Sequence, residues 1–143
     1  MTRATLTIAT TEKRQALNVT AQVARAAGGL GDGLLVLHTP HTTAALLIGE
    51  DDAELRRDYM RVAERWLERL RPFEHVRNDN PNTEAHVMSS VFGVSLTLTV
   101  ERGALSLGRY QNLILLEMDG PKQREIWLTM LPVPGDPSAE RKE

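Results

Sequence analysis

The hydrophobic period of the chain changes at Asp51, and this change limits the folds that the chain can adopt. From Asp51 to Leu70 apolar residues recur every three or four positions, a pattern typical of an amphipathic helix. The apolar positions are Leu55, Tyr59, Val62, Ala63, Trp66, Leu67 and Leu70. Acidic residues at 50, 51 and 52 suit the positive end of the helix dipole, and Pro72 follows its end. The centre of the chain therefore predicts one long helix.

Strand patterns lie on both sides of this helix. The segment 94–100 alternates Val and Leu with Ser and Thr, which is the clearest strand signature in the chain. Further strands are predicted at 4–8, 14–19, 33–38, 43–48, 105–107, 113–118 and 125–131. Two short helices are predicted as well, one capped by Thr20 and running to Ala27, the other following Asn80 from Pro81 to Phe92.

The size and composition of the chain restrict its class. With 143 residues, 41% of them hydrophobic and 25% charged, we expect one domain over residues 1–131 and a disordered tail over 132–143. No apolar stretch is long enough to cross a bilayer and the start has no apolar signal core, so we expect a cytoplasmic protein that does not bind membranes. A net charge of −2 argues against binding to nucleic acid.

The absence of cysteine limits metal sites to histidine, carboxylate and backbone oxygen ligands. The chain has four histidines, of which His41, His75 and His86 stand in polar or helix-starting positions. Three imidazoles with one open coordination position suit a metal ion that polarises a substrate or activates water. Spacing alone also permits ordinary surface histidines. His38 lies three residues before His41, on the opposite face of an extended chain, and we interpret it as structural.

Polar residues also gather where strands end. Gly108 to Gln111 and Glu117 to Lys122 are typical of turns, and the residues alone favour that interpretation. The alternative is a pocket bordered by Gln111 and Glu117, with Arg109, Lys122 or Arg124 binding an anion. Asn80 belongs to a polar cluster that either caps the following helix or contacts phosphate.

Four blocks of the sequence, taken together and in order, resemble the YjbQ-like family. They are residues 41–50, His75 with Asp79-Asn80 and Ala85-His86, residues 103–111, and residues 117–124. The resemblance implies an α+β subunit, a small β-sandwich of about seven strands with one long and two short helices, that forms a homotrimer. It also implies that His41, His75 and His86 meet at a metal ion. The implied catalytic residues are Glu50, Gln111 and Glu117, and the implied substrate- or phosphate-binding residues are Thr42, Asn80, Arg109, Lys122 and Arg124.

The chain departs from the family pattern at four of these positions. It has Gly49 where the family usually has Asn, Arg109 where Thr is usual, Tyr110 where Trp is usual, and Lys122 where Arg is usual. Position 110 is still aromatic and position 122 is still a cation. These changes alter the fit of a substrate.

The resemblance implies secondary thiamine-phosphate synthase activity, in which a pyrimidine diphosphate is joined to a thiazole phosphate with release of diphosphate. The implied cofactor is a divalent ion, zinc or another transition metal, with magnesium as an option for a diphosphate substrate. The implied partners are a small phosphorylated substrate and further copies of the chain. Two alternatives stay open: a metal-dependent hydrolase or isomerase of a phosphorylated metabolite, and a non-catalytic trimeric module that binds a metal or an anion.

Overall fold

Eight strands and three helices follow one another in this computed structural model, which describes residues 1–76 and 81–133. Within those ranges the elements are β1 (Thr2–Ala9), β2 (Gln15–Asn18), α1 (Thr20–Ala27), β3 (Gly33–His38), β4 (Ala44–Gly49), α2 (Ala53–Glu68), α3 (Thr83–Phe92), β5 (Ser95–Glu101), β6 (Ala104–Leu105), β7 (Asn112–Glu117) and β8 (Gln123–Leu131). The predicted α+β class is confirmed, with eight strands and three helices described. Asn80 and the predicted tail from residue 134 lie outside the described residues.

The strands form two antiparallel sheets. The large sheet has the order β1-β8-β3-β5-β6, and the small sheet has the order β2-β7-β4. In the large sheet, Leu37 of β3 pairs with Leu96 of β5 on one side and with Leu128 of β8 on the other. In the small sheet, β7 lies in the middle and pairs Ala44 with Glu117 at one end and Gly49 with Asn112 at the other.

The small sheet is the middle layer of the molecule. Leu113 and Leu115 of β7 belong to the core shared with the large sheet, whereas Ile114 and Leu116 pack with α2 and α3, and all four are fully buried. A strand with two buried faces is a continuous apolar run rather than an alternating one. This explains why residues 113–116 are all apolar.

Helix α2 begins as predicted but buries a different face. The Asp52 carboxylate caps it by accepting from the backbone N–H groups of Glu54 and Leu55. Its buried residues are Met60, Ala63 and Leu67, whereas Val62, Trp66 and Leu70 are each more than half exposed. The predicted apolar face was therefore wrong at three positions. The helix carries two apolar stripes, and the stripe that packs with Ile114 and Leu116 of β7 is the one with Met60, Ala63 and Leu67.

Three local expectations are also corrected. Thr20 is the first residue of α1 and not its cap; its hydroxyl donates to Asn18 Oδ1 and accepts from the N–H of Leu113. Helix α3 begins at Thr83 rather than Pro81, and Val91, predicted to be buried, is half exposed. Strand β6 covers 104–105 rather than 105–107.

Alternation along β8 gives the large sheet an outward side with exposed apolar residues. Trp127 and Leu131 point to that side, and Leu34 of β3 pairs with Leu131. None of the described helices is long and apolar enough to cross a membrane.

Candidate functional site

The loop after β3 is bound to β8 by side-chain hydrogen bonds, at a position where the backbone of the loop does not pair with β8. Pairing of β3 with β8 ends at His38 and Trp127, and two residues further the same register would place Pro40 opposite Glu125. Proline has no N–H to donate. Instead the Thr39 hydroxyl donates to the carbonyl of Glu125 at 2.9 Å, and Nε2 of His41 accepts from the N–H of Glu125, also at 2.9 Å. The backbone N–H and the backbone carbonyl of Glu125 are therefore both hydrogen-bonded to this loop.

His41 lies beside a cavity of about 480 Å³ between this loop and α3. The lining residues are His38, Thr39, Pro40, His41, Thr42, His86, Ser89, Ser90, Gly93 and Val94. Ser89 is buried, and its hydroxyl donates to the carbonyl of Ala44 at 2.6 Å, which ties α3 to β4. The cavity thus brings His38, His41 and His86 to one concave surface, and a cavity of this volume suits a small molecule.

His75 and His86 contact one another edge to face. Their ring centroids are 5.5 Å apart and the ring planes are nearly perpendicular. The Thr83 hydroxyl donates to the carbonyl of His75, and Glu84 forms ion pairs with Arg71 and Arg14. These contacts fix the segment after α2 against the start of α3. The two imidazoles are therefore in direct contact across the junction between this segment and α3.

The set of three imidazoles predicted from the sequence does not fit a single ion in this arrangement. The described residues contain no group of three histidine or carboxylate side chains placed to hold a metal. The lone pair of His41 Nε2 accepts from Glu125, and a histidine ligand needs a free lone pair. Of the three predicted ligands, His75 and His86 are the two whose rings are in contact.

Glu117 and Arg124 form a buried ion pair behind His41. Oε1 of Glu117 accepts from Arg124 Nη2 and from the N–H groups of Met118 and Asp119, and Oε2 accepts from Arg124 Nε and from Thr10. Burial raises the pKa of the carboxyl, but the hydrogen bonds outweigh burial and the pKa of Glu117 lies below its ordinary value. All described hydrogen bonds of this carboxylate go to Thr10, Arg124 and the backbone of residues 118 and 119. Glu117 therefore affects the cavity only through the effect of its charge on His41.

The charges behind His41 keep its imidazole neutral. Burial lowers the pKa of His41, the positive charges of Arg124 and Lys122 lower it further, and Glu125 and Glu117 oppose them. The net shift is downward from 6.5. His41 is therefore uncharged at neutral pH.

Asp119 holds two lysines at this end of the small sheet. Its carboxylate accepts from Lys13 Nζ at 2.6 Å, from Lys122 Nζ at 2.9 Å and from the amide of Asn82 at 3.1 Å. Asp119 itself is buried, whereas both lysine side chains are about half exposed. Lys122 is thus a cation at the same end as His41. Thr42 is exposed there and lines the cavity.

The other predicted site residues lie at the opposite end of the small sheet. The pairing of Gly49 with Asn112 places Glu50 and Gln111 there, five residues along the strands from the pair Ala44 and Glu117. That spacing corresponds to about 17 Å. Gln111 Oε1 accepts from the N–H of Gly108 at 2.8 Å, and Arg109 stacks over Tyr110 at 5.4 Å.

The structure therefore divides the predicted site into two groups. At the histidine end lie Thr42, Glu117, Lys122, Arg124 and three of the histidines; at the other end lie Glu50, Arg109 and Gln111. Asn80 is outside the described residues. Sequence analysis missed Thr39 and Glu125, although a proline two residues after a strand is a signal that side chains must replace the ladder there.

Comparison with known proteins gives the family. The profile of the family described as "UPF0047 protein YjbQ-like" matches residues 4–133. A UPF0047 protein of Archaeoglobus fulgidus is 36% identical over 121 residues, 85% of this chain and 94% of that protein. The UPF0047 protein YugU of Bacillus subtilis is 33% identical over 132 residues, 89% of this chain and 97% of that protein.

Solved structures give the same result. The crystal structure of a hypothetical protein from Aeropyrum pernix superposes with a TM-score of 0.85 at 32% identity, covering 93% of this chain and all of that one. A conserved hypothetical protein from Thermus thermophilus superposes with a TM-score of 0.79 at 34% identity, covering 90% and 99% of the two chains. The chain belongs to the UPF0047 YjbQ-like family.

Proposed function

We propose that the protein is a metal-dependent enzyme that acts on a small phosphorylated metabolite in the cavity beside His41 and His86. The reaction that we propose to test first is the thiamine-phosphate synthase type, in which a thiazole nitrogen bonds to the methylene carbon of a pyrimidine diphosphate as the carbon–oxygen bond to diphosphate breaks. The observation that carries the proposal is the meeting of imidazoles from the β3–β4 loop and α3 at one cavity.

The residues at the histidine end suit a phosphorylated ligand. Lys122 is about half exposed and supplies an ammonium group near His41, where it is paired with Asp119. Such a cation favours an anionic leaving group as it separates from a cationic carbon. Thr42 lines the cavity and offers a hydroxyl group to phosphate oxygens.

We propose that the ion is held by His75 and His86, whose rings are in contact. When bound, a divalent ion there neutralises charge on the leaving group. The described contacts of Thr83 and Glu84 keep the two rings together without the ion. We propose that Glu50, Arg109 and Gln111, at the far end of the small sheet, take part only if a neighbouring subunit brings them to this cavity.

The test is an assay of purified protein with the pyrimidine diphosphate and the thiazole phosphate, with thiamine phosphate measured by chromatography and bound metal by elemental analysis. His86→Ala is expected to lose both product formation and metal. Arg61→Ala is the matched control, because Arg61 is exposed on α2 and pairs only with Asp58 among the described residues. Equal activity and metal content in wild type and His86→Ala would refute the proposal.

A hydrolase or isomerase is the second candidate, and the ligand chemistry favours it. A pair of imidazoles suits zinc or a similar transition metal, whereas diphosphate chemistry commonly relies on magnesium held by oxygen ligands. Zinc is also the ion that generates hydroxide at neutral pH. Release of phosphate from phosphorylated sugars or alcohols by zinc-loaded protein, without formation of thiamine phosphate, would select this candidate.

We further propose that the protein acts in the cytoplasm as a homotrimer that packs through the outward side of the large sheet. Leu34, Trp127 and Leu131 are each more than 40% exposed on that side, where adjacent strands place them together. Exposed apolar groups of this kind favour association. Light scattering with size-exclusion chromatography should give three chains per particle, and Trp127→Glu should give one.

A further inference from the structure

His41 contacts the backbone in a way that fixes its protonation. Its Nε2 accepts from the N–H of Glu125 at 2.9 Å, so this nitrogen carries no proton. In a neutral imidazole the proton must then be on Nδ1. The neutral form is the one present at neutral pH, since burial and the neighbouring cations lower the pKa of His41.

The protonated Nδ1 has no hydrogen-bond partner among the described residues, and His41 lines the cavity. Every buried side-chain nitrogen and oxygen of the described residues has a hydrogen-bond partner, so an atom without one is reachable from the cavity or the solvent. His41 therefore has one N–H donor that is open to a bound molecule.

We propose that His41 is a hydrogen-bond donor to an oxygen atom of a phosphorylated ligand, held as the Nδ1–H tautomer by Glu125, and that it is not a ligand of the metal ion. This inference rests on the proposed function for the identity of the ligand. It departs from the set of three histidine ligands implied by the sequence.

Two structural facts oppose metal binding at His41. Coordination through Nε2 would break the bond to Glu125 and leave the N–H of Glu125 without the acceptor that it has in this structure. Coordination through Nδ1 would require that nitrogen to lose its proton while Nε2 still accepts, which makes an imidazolate.

The experiment is two-bond proton–nitrogen NMR of the four histidine rings in ¹⁵N-labelled full-length protein at pH 7, first without metal. The signal of His41 is assigned by its loss in His41→Gln, whose side-chain oxygen can still accept from Glu125. We expect His41 to show a protonated Nδ1 and an unprotonated Nε2. An Nε2–H tautomer would overturn the proposal.

Zinc and inorganic phosphate are then added in separate titrations. With zinc, we expect the ¹⁵N signals of the His75 and His86 rings to shift and those of the His41 ring to stay unchanged. The zinc affinity of His41→Gln should lie within about threefold of that of wild type. His75→Ala and His86→Ala should each lose at least about tenfold in zinc affinity, roughly 1.4 kcal/mol. With phosphate, the Nδ1 proton of His41 should shift. A tenfold loss of zinc affinity in His41→Gln, or no response of Nδ1 to phosphate, would overturn the proposal.

These outcomes separate the inference from the proposed function. If wild type binds no zinc, nickel or magnesium, the metal-dependent function fails, and the tautomer and the phosphate response still decide the role of His41. If the metal binds and His41 is one of its ligands, the function stands and this inference fails. His38→Gln is the control, because His38 also lines the cavity but stacks against Trp127 on the outward side of the sheet.

Discussion

Arg124 holds the Glu117 carboxylate through two nitrogen atoms, Nε to Oε2 at 2.7 Å and Nη2 to Oε1 at 2.5 Å. Both side chains are almost fully buried, and Arg124 also donates to the hydroxyl and the carbonyl of Thr43. The pair joins the end of β7 to the start of β8 directly behind the candidate site. Its charges are far from water, so each ion depends on the other.

We expect Glu117→Gln to lower the free energy of unfolding by about 3–5 kcal/mol, because it leaves the Arg124 guanidinium buried without a counter-ion. Urea denaturation followed by circular dichroism measures the loss. The double variant Glu117→Gln with Arg124→Met should lose less than the sum of the single variants. Asp58→Asn is the control, since the exposed pair Asp58–Arg61 should contribute less than about 1 kcal/mol; equal losses at the two sites would contradict the prediction.

The pH dependence of stability should report the same carboxylate. Because the pKa of Glu117 in the folded protein lies below its ordinary value of 4.5, its stabilising effect is complete above that value and is lost as the pH falls through the folded pKa. The difference in free energy of unfolding between wild type and Glu117→Gln should therefore shrink below pH about 4.5. Urea midpoints of both proteins between pH 7 and pH 3 measure it. A difference that stays constant in acid would show that the charge of Glu117 is not its cause.

Gly49 lies directly under the hydroxyl of Tyr59. A Cβ added at Gly49 would be 2.7 Å from Tyr59 Oη, whereas the next contact, Leu47 Cδ1, would be 3.3 Å away. We expect Gly49→Ala to cost about 1–3 kcal/mol of stability and to cost clearly less in a Tyr59→Phe background. Urea denaturation of the four proteins in this cycle measures the coupling. Gly29→Ala is the control, because a Cβ there meets nothing within 4 Å; additive effects at 49 and 59 would contradict the steric explanation.

The cap of α2 gives a prediction at the surface. Asp52 Oδ1 accepts from the N–H groups of Glu54 and Leu55, both at 2.8 Å. Asp52→Ala should lower stability by about 1 kcal/mol and Asp52→Asn by less, because Asn also caps helices well. Thermal unfolding of the two variants beside wild type measures this. An Asn variant as unstable as the Ala variant would show that charge, rather than capping, is what matters.

The two ends of the small sheet predict different effects on anion binding. Lys122 lies at the histidine end and Arg109 at the other, stacked on Tyr110. We expect Lys122→Ala to weaken binding of inorganic diphosphate about tenfold, the effect of losing one charge-assisted hydrogen bond, and Arg109→Ala to change it less than about twofold. Isothermal titration calorimetry measures both. A large effect of Arg109→Ala would mean that the two ends meet, which requires a second subunit.

The sequence predicted well those features that depend on local pattern. Alternation over 94–100 and the apolar run 113–118 were confirmed as β5 and β7, and the period change at Asp51 was confirmed as α2. Local pattern could not show which side of α2 is buried, because Trp66 and Leu67 both belong to apolar stripes and only the surface of β7 selects between them. Likewise, the Thr20 hydroxyl does not cap α1 as expected, because it accepts from the N–H of Leu113, which is distant in sequence.

The candidate site depended even more on distant parts of the chain. His75 and His86 are close in sequence, and their convergence was expected. The partner of His41 is the peptide of Glu125, 84 positions away, and it follows only from the register of β3 with β8. The separation of Glu50 from Glu117 likewise follows from the register of β4 with β7. The order of the four family-like blocks along the sequence does not reveal that register.

Two consecutive residues of β8 have different roles, one in stability and one at the candidate site. Arg124 points inward to the ion pair with Glu117, and the next peptide, that of Glu125, orients the imidazole of His41. A library that varies this strand to change ligand preference will therefore mostly yield unfolded chains. Pro40 and Thr42 line the same cavity, are exposed, and have no side-chain hydrogen bonds within the described chain, so diversity placed there can change selectivity at little cost in yield.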